Sequence, residues 1–302
     1  MHENPIWGID LAGTKIEGIV LRDANSLEVI ERLRVPTESE QGYEHILDQI
    51  KRCVELLEEK TGLTVNRLGI GTPGVLDPQL QTMKNCNTTC LNGQPLKADL
   101  EKKLNKKVVL ANDANCFAFA EAKLGAVRDH FADPEVVFGV IMGTGVGGGL
   151  VINGQLLTGR QGIGGEWGHT YLDDSGGPCY CGNVGCTEQV ISGTALERFY
   201  RERTGTFKKL KDIVVLHKAG KDEAATETIN RLLHFFGKGM ASVINVVDPD
   251  VVILGGGVGN IDLLYTEGIE QVKKFVFNNR LDTMFLRPKL GDSAGVFGAA
   301  LL

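Results

Sequence analysis

The chain has 302 residues, of which 42% are hydrophobic and 23% are charged, and its formal net charge is −6. This composition is typical of a globular protein with room for two domains, and the acidic charge argues against a broad nucleic-acid-binding surface. Seven cysteines, an odd number, fit poorly with a disulfide framework. Because no run reaches 18 apolar residues and the start lacks a charged-then-apolar leader, we expect a cytoplasmic protein that does not enter a membrane.

The first part of the chain predicts a strand, a turn and a second strand. The apolar run PIWGID is followed by the turn LAGTK and by a second apolar run, IEGIVL. The same order returns near residue 138, in VFGVIM, GTGVGGG and LVING. Two such units indicate a duplicated domain plan.

Strands and helices alternate after the first unit. LEVIERLRV, RLGIGTPG and KKVVLAND predict strands, while EHILDQIKRCVELLEEK, PLKADLEKKL and DANCFAFAEAKLG predict helices. Later helices are predicted over 194–204, 222–247 and 261–278, with a buried strand and a glycine loop in DPDVVILGGGVGN. This alternation predicts an α/β protein.

The predicted domain boundary lies just after Asp113. It gives a small N-terminal α/β domain over 1–113 and a larger C-terminal α/β domain over 114–302, which would hold the second glycine turn and the cysteine-rich loop. A C-terminal helix at about 294–302 is expected to pack back on the small domain.

Three glycine-rich turns, over 8–15, 143–149 and 255–259, each follow an apolar strand. Backbone amides in such turns can point at phosphate oxygens, because glycine has no Cβ and tolerates positive φ. One such turn alone is as well explained by a tight strand connection. Neither the dinucleotide fingerprint nor the P-loop spacing fits these turns. Their duplicated strand–turn–strand plan is instead that of the actin and hexokinase superfold.

The segment GHTYLDDSGGPCYCGNVGCTE gathers three of the seven cysteines behind a histidine. His169, Cys179, Cys181 and Cys186 would supply one imidazole and three thiolates, which is the ligand set of a closed, tetrahedral structural zinc site. The alternative is a glycine loop with free cysteines. We predict a structural Zn²⁺ that takes no part in the chemical step.

Seven motifs together resemble the ROK family, named for repressors, open reading frames and kinases. They are GIDLAGTK, GTPG, NDAN, GTGVGGG, GEWGH, CYCGNVGCTE and DPDVVILGGG, which occur in this order over nearly the whole chain. One departure is Ala12, where the family usually has a second glycine before Gly13. A positive φ at Ala12 would cost about 1 kcal/mol.

The resemblance implies an actin/hexokinase-like (ribonuclease H-like) fold of two duplicated domains with a cleft between them. It also implies an ATP-dependent sugar kinase that uses Mg²⁺ and phosphorylates a hexose at its 6-hydroxyl. Asp113 would take the proton of the attacking hydroxyl, since phosphoryl transfer to an alcohol needs a carboxylate within hydrogen-bond reach. Taken alone, Asp113 is as well explained by a helix N-cap.

The resemblance assigns three sets of residues. The sugar contacts would be Gly74, Asn112, Asp113, Glu166, His169 and Glu188. The ATP and magnesium contacts would be Asp10, Gly13, Thr14, Lys15, Gly143, Thr144, Gly145, Gly147, Gly256 and Gly257. The zinc ligands would be His169, Cys179, Cys181 and Cys186. As isolated glutamates, Glu166 and Glu188 would be solvated loop carboxylates.

The segment from Lys84 to Leu100 is similar to the fructokinase and mannokinase branch of the family. It predicts fructose or mannose as the substrate, with glucose and N-acetylglucosamine as the alternatives. A sugar-responsive repressor is disfavoured, because a first strand at about Pro5 leaves no room for a preceding helix-turn-helix domain. A non-catalytic ATP-binding protein is disfavoured by the presence of Asp113 and of all three turns. Family members are often dimers or tetramers, so a homodimer or homotetramer is expected.

Overall fold

The computed structural model of the protein describes residues 5–302, apart from the side chain of Asp292. Residues 1–4 lie outside the described residues. They belong to the predicted domain over 1–113 and to the start of the chain that was expected to lack a leader. Within the described residues the strands are β1 (Ile6–Leu11), β2 (Lys15–Leu21), β3 (Val29–Pro36), β4 (Arg67–Thr72), β5 (Val75–Leu76), β6 (Met83–Lys84), β7 (Lys107–Asn112), β8 (Val136–Met142), β9 (Val146–Ile152), β10 (Gln155–Leu156), β11 (Val251–Gly255) and β12 (Met284–Leu286).

The α-helices differ widely in length, from one turn to 25 residues. Over residues 5–302 they are α1 (Tyr43–Thr61), α2 (Leu96–Leu104), α3 (Asp113–Lys123), α4 (Thr187–Ile191), α5 (Gly193–Thr204), α6 (Leu210–Ala219), α7 (Glu223–Val247), α8 (Gly256–Gly259), α9 (Glu267–Phe275) and α10 (Ala294–Ala300). None of those helices is both long enough and apolar enough to cross a membrane.

The two large sheets of the described chain have the same strand order. The first is β3-β2-β1-β4-β7 and the second is β10-β9-β8-β11-β12. In the first sheet β1 pairs with β2 antiparallel and with β4 parallel, and in the second β8 pairs with β11 parallel. The repeated order agrees with the duplicated plan expected from the two strand–turn–strand units.

Contacts divide the chain into two compact units. Unit 1 contains the described residues up to Ala132, together with Gly149–Gly164 and Lys289–Leu302. Unit 2 contains Asp133–Gly148 and Gly165–Pro288. The domain boundary expected after Asp113 stays a prediction, because these compact units are defined by contacts and need not coincide with domains.

In unit 1 the sheet is covered by α1 on one face and by α10 on the other. α1 buries an apolar stripe that includes Ile46, Ile50 and Leu57, and each such side chain contributes about 1.5–3 kcal/mol. α10 approaches β1 and β4 so closely that a Cβ on Gly8 or Gly69 would collide with the backbone at 299–300. This contact places the C-terminal helix beside β1, whose carboxyl end carries Asp10.

In unit 2 the long helix α7 packs against α9 and buries Leu232, Phe236 and Met240. The helices expected over 194–204 and 222–247 correspond to α5 and α7. The expectation for 261–278 was wrong in extent, because a 3₁₀ turn over Asp262–Tyr265 comes first and Thr266, at ψ −89°, separates it from α9. The glycine loop expected at 255–259 contains the single-turn helix α8.

Candidate active site

The first glycine turn of unit 1 is tight and is held by neighbouring residues. The Ala12 N–H donates to the Lys15 carbonyl at 3.0 Å, and the Thr37 hydroxyl donates to the Ala12 carbonyl at 2.7 Å. The Ser39 hydroxyl donates to the Gly13 carbonyl at 3.2 Å. Ala12 does not have a positive φ, so the strain expected at this alanine does not arise.

A cavity of about 650 Å³ lies in unit 1 beside this turn. The structure brings the predicted residues Asp10, Gly13, Thr14 and Asp113 together in its wall. Further lining residues are Leu11, Ala12, Ser39, Glu40, Pro73, Asn87, Thr88, Thr89 and Cys90. The cavity therefore has the first glycine turn and the candidate base Asp113 in one wall.

Three other predicted residues of unit 1, Lys15, Gly74 and Asn112, are not in that wall. Lys15 lies 3.4 Å from the buried carboxylate of Glu17, which also pairs with Arg32 and Arg34. A Cβ on Gly74 would be 2.7 Å from the Lys84 carbonyl. Gly74 thus permits close packing of the backbone, which is a structural reason for glycine there.

At the N-terminus of α3, Asn112 and Asp113 have different roles. Asn112 is the N-cap, since its Oδ1 accepts from the Asn115 N–H at 2.8 Å. Asp113 is the first helical residue, and its Oδ1 accepts from its neighbour Ala114 N–H at 2.7 Å. The N-cap explanation considered for Asp113 therefore applies to Asn112 instead.

The carboxylates of Asp113 and Asp10 have raised pKa values. Asp113 is surrounded by protein atoms yet reaches solvent through the cavity, and desolvation raises its pKa. Burial raises the pKa of Asp10 from 3.8 to about 6, helped by the negative charges of Asp113 and Glu17, while Lys15 opposes the rise. Two close carboxylates in such surroundings would attract a cation or a proton.

We expect Asp10→Asn to stabilise the metal-free protein above pH 6. A carboxylate whose pKa is higher in the folded state contributes stability below pH 4, and this contribution is lost as the pH rises through about 6. Two pKa units correspond to about 3 kcal/mol, which we reduce to about 2 kcal/mol because solvent reaches the cavity. Urea unfolding in EDTA should show this gain at pH 7.5 and little difference near pH 4. A loss of stability at pH 7.5 would contradict the assignment.

In unit 2 the second and third glycine turns lie side by side. β8 and β11 are parallel, with Gly255 opposite Ile141, so both turns leave the same edge of the sheet. Gly256 has φ +78°, and a Cβ there would collide with the Met142 backbone. The structure thus brings Gly143 and Gly256 close together. At Gly143 and Gly257 packing does not require glycine, because an added Cβ would meet nothing within 4 Å.

The zinc ligands predicted from the sequence converge in unit 2. The ligand atoms of His169, Cys179, Cys181 and Cys186 all lie within 4.8 Å of one another. The Cys181 and Cys186 sulfurs are 3.5 Å apart, and His169 Nδ1 is 3.6 Å from the Cys179 sulfur. A tetrahedral zinc with bonds of about 2.3 Å would separate its sulfur ligands by about 3.8 Å. These residues fit a zinc ion, which would cross-link the loop.

The backbone of the loop that carries the three cysteines turns tightly at three glycines. Gly177, Gly182 and Gly185 have φ of 70°, 93° and 75°, which favours glycine. The backbone N–H of Asn183 lowers the pKa of Cys181 to about 7. A thiol that ionises near neutral pH is a ready metal ligand.

The two predicted sugar carboxylates flank this loop. Glu166 directly precedes the 3₁₀ turn Trp167–His169, and Glu188 lies in the first turn of α4, two residues after Cys186. The Glu188 Oε2 accepts from the Val146 N–H at 2.9 Å and lies against Gly145. Glu188 therefore connects the cysteine-rich loop with the second glycine turn.

Three contacts of unit 2 were not anticipated from the sequence. The Trp167 indole N–H donates to the Gly147 carbonyl at 3.0 Å, and the Thr194 hydroxyl donates to the Thr144 carbonyl at 2.7 Å. The Tyr180 hydroxyl lies 3.0 Å from His169 Nε2. Only the position of Tyr180 between two cysteines could have drawn attention to it.

Comparison with known proteins identifies the family. The model of the ROK family matches residues 6–302. The N-acetyl-D-glucosamine kinase of Vibrio parahaemolyticus is 35% identical, over 98% of this chain and 98% of the relative. The ROK hexokinase of Thermus thermophilus is 33% identical with a TM-score of 0.87, over 99% of this chain and 97% of that one.

A ROK family glucokinase of Streptomyces griseus, solved in complex with glucose and AMPPNP, is 29% identical with a TM-score of 0.77. The alignment covers 98% of this chain and 98% of that one. These similarities confirm the predicted α/β fold of the actin and hexokinase type. Because the family model spans the chain and the relatives align over nearly their whole length, the chain belongs to the ROK family, among its sugar kinases.

Proposed function

We propose that this kinase transfers the γ-phosphate of ATP to the 6-hydroxyl of a hexose, with N-acetyl-D-glucosamine as the preferred substrate and glucose as the second. The observation that carries the proposal is the cavity of unit 1, where Asp113 shares a wall with Asp10 and the glycine turn. A carboxylate base beside a phosphate-binding turn suits phosphoryl transfer to an alcohol.

The choice of sugar differs from the one expected from the Lys84–Leu100 segment. That segment suggested fructose or mannose, and its residues Asn87 and Cys90 do line the cavity. The relatives compared above, however, are an N-acetyl-D-glucosamine kinase, a hexokinase and a glucokinase. They support the alternative substrates better than fructose or mannose.

We assign the roles as follows. Asp113 accepts the proton of the 6-hydroxyl, and Asn112, Glu166, His169 and Glu188 bind other sugar hydroxyls. Asp10 is suited to bind Mg²⁺, which when bound neutralises phosphate charge. The backbone amides of the three glycine turns and the Lys15 ammonium bind the phosphates of ATP, and Zn²⁺ stabilises the loop that carries Glu166 and Glu188. The expected cytoplasmic location and the homodimer or homotetramer stay predictions.

We expect kcat/KM for N-acetyl-D-glucosamine to exceed that for fructose and mannose by at least about tenfold. A site that hydrogen-bonds a substituent discriminates strongly against sugars that lack it. The measurement is a coupled ADP assay with saturating ATP across the four sugars, with the Asp113→Asn variant as the blank for ATP hydrolysis. A tenfold preference for fructose or mannose would reverse the substrate assignment, and no turnover with any hexose would contradict the proposed function.

A further inference from the structure

The third glycine turn, over 255–259, has two exposed glycines and a buried end. Gly256 and Gly257 are exposed, whereas Gly259 is buried. An added Cβ on Gly257 would meet nothing within 4 Å, but a Cβ on Gly259 would lie 2.5 Å from the Leu254 carbonyl oxygen. A ligand can therefore approach the turn at Gly256 and Gly257, while Gly259 packs against the end of β11.

Tyr265 ties the two ends of this turn together. Its hydroxyl donates to the Gly259 carbonyl at 2.9 Å and lies 3.3 Å from the Leu254 carbonyl. Because a phenol has one proton, the bond to Gly259 is the stronger and the contact with Leu254 is a weaker, shared bond. Leu254 directly precedes the turn and Gly259 is its last residue. One side chain thus fixes the point where the chain enters the turn relative to the point where it leaves.

Tyr265 is itself held by charged neighbours. The Arg287 guanidinium lies over the phenol ring, 4.1 Å from its centroid, and is 2.9 Å from one Asp262 carboxylate oxygen. Lys218 lies 3.2 Å from the other oxygen of Asp262. Burial raises the pKa of Tyr265 to about 12, although Arg287 opposes the rise. These contacts restrain the ring, and the hydroxyl stays protonated and able to donate at neutral pH.

The turn needs such a restraint because its own sequence provides little. Four of the five residues over 255–259 are glycine, and glycine loses more conformational freedom on ordering than any other residue. If the turn were ordered only when a ligand bound, that loss would weaken binding. A hydroxyl that holds both ends of the turn beforehand reduces this cost.

We propose that Tyr265 is a positioning residue for nucleotide binding, whose hydroxyl keeps the third glycine turn in the conformation that binds ATP. The proposal rests on the proposed function, because that function assigns the amides of this turn to the phosphates of ATP. Tyr265 acts through the turn and makes no contact with the sugar or the base in this role. Its loss should therefore weaken nucleotide binding and leave the chemical step intact.

The test is Tyr265→Phe, which keeps the ring beside Arg287 but removes the hydroxyl. We expect the KM for ATP and the calorimetric Kd for ADP with Mg²⁺ to rise about 3- to 10-fold, as for the loss of one neutral hydrogen bond. kcat and the KM for the sugar should change by less than about twofold. Backbone amides over 254–260 should exchange hydrogen faster in the variant, because the turn opens more readily.

The matched control is Tyr200→Phe, which also removes one tyrosine hydroxyl of unit 2. That hydroxyl donates to Asp222 Oδ2 at 2.7 Å and so joins α5 to the N-cap of α7. Tyr200→Phe should lower the thermal stability to a similar extent but leave the Kd for ADP unchanged. An unchanged Kd for ADP in Tyr265→Phe, or an equal rise in both variants, would overturn the role of Tyr265.

Failure of the proposed function gives a different result. If the wild-type protein binds ADP but phosphorylates no hexose, the proposed function fails, while the ratio of the two ADP affinities still tests Tyr265. If the wild-type protein binds no ADP at millimolar concentration, both the proposed function and the role of Tyr265 are overturned.

Discussion

Replacing Asp113 by asparagine is expected to lower kcat by about 10²–10⁴-fold, the usual cost of losing a positioned base. The change is nearly isosteric, and the helix keeps its cap because Asn112, not Asp113, accepts from the Asn115 N–H. The fold and ATP binding should therefore survive. The measurement is steady-state kinetics with the preferred sugar, together with circular dichroism and ATP titration of the variant.

The pH profile separates a base from a structural carboxylate. Because burial raises the pKa of Asp113, wild-type kcat/KM should fall as the pH is lowered through that pKa, and the variant should lack this dependence. Asp212→Asn is a matched control, since Asp212 is an exposed aspartate in the first turn of α6. Normal turnover by Asp113→Asn would show that Asp113 is not the base.

Cys181→Ser should reduce the metal content from about one zinc per chain to near zero and abolish measurable sugar binding at millimolar concentration. The variant leaves three of the four ligands brought together in the structure, and a serine hydroxyl is a poor replacement for a thiolate. Without the cross-link the loop loses its order, and Glu188 can no longer be held against Val146. Elemental analysis and sugar calorimetry on the same preparation give both results.

Two further variants distinguish the consequences of losing zinc. Glu166→Ala should keep its zinc and still bind sugar poorly, because Glu166 is not among the metal ligands. Cys53→Ala, which changes a buried cysteine of α1 outside the cluster, should keep both properties. Freshly purified, active protein without zinc would contradict the metal assignment.

The features that could be predicted from the sequence are those whose physical cause lies within a few neighbouring residues. The periodic apolar pattern of α1 and the apolar runs of β1 and β8 act locally. The cysteine cluster is another case, because Cys179, Cys181 and Cys186 are separated by few residues, and the structure brings their sulfurs together. The glycine turns were found for the same reason, since backbone freedom is a property of the residue itself.

Other features could not be predicted, because the local sequence is compatible with more than one structure. Asn112 and Asp113 are both good N-caps, and only the end of β7 at Asn112 decides which of them caps α3. Similarly, β12 is a strand of three residues that exists because it pairs with β11. No pattern within those three residues could have predicted it.

The identity of the sugar was beyond the sequence, because carboxylates recognise hydroxyls in general and the resemblance of the Lys84–Leu100 segment suggested fructose or mannose. The sequence by itself determined the α/β class, and it predicted the glycine turns, the cluster of one histidine and three cysteines, and Asp113 as the candidate base. Only the tertiary structure decided that α10 requires Gly8, that Glu188 binds the Val146 amide, and that Tyr180 contacts His169 Nε2. The first two contacts join residues far apart in the chain, and the third depends on how the loop folds back around the histidine, so each follows from packing and not from spacing.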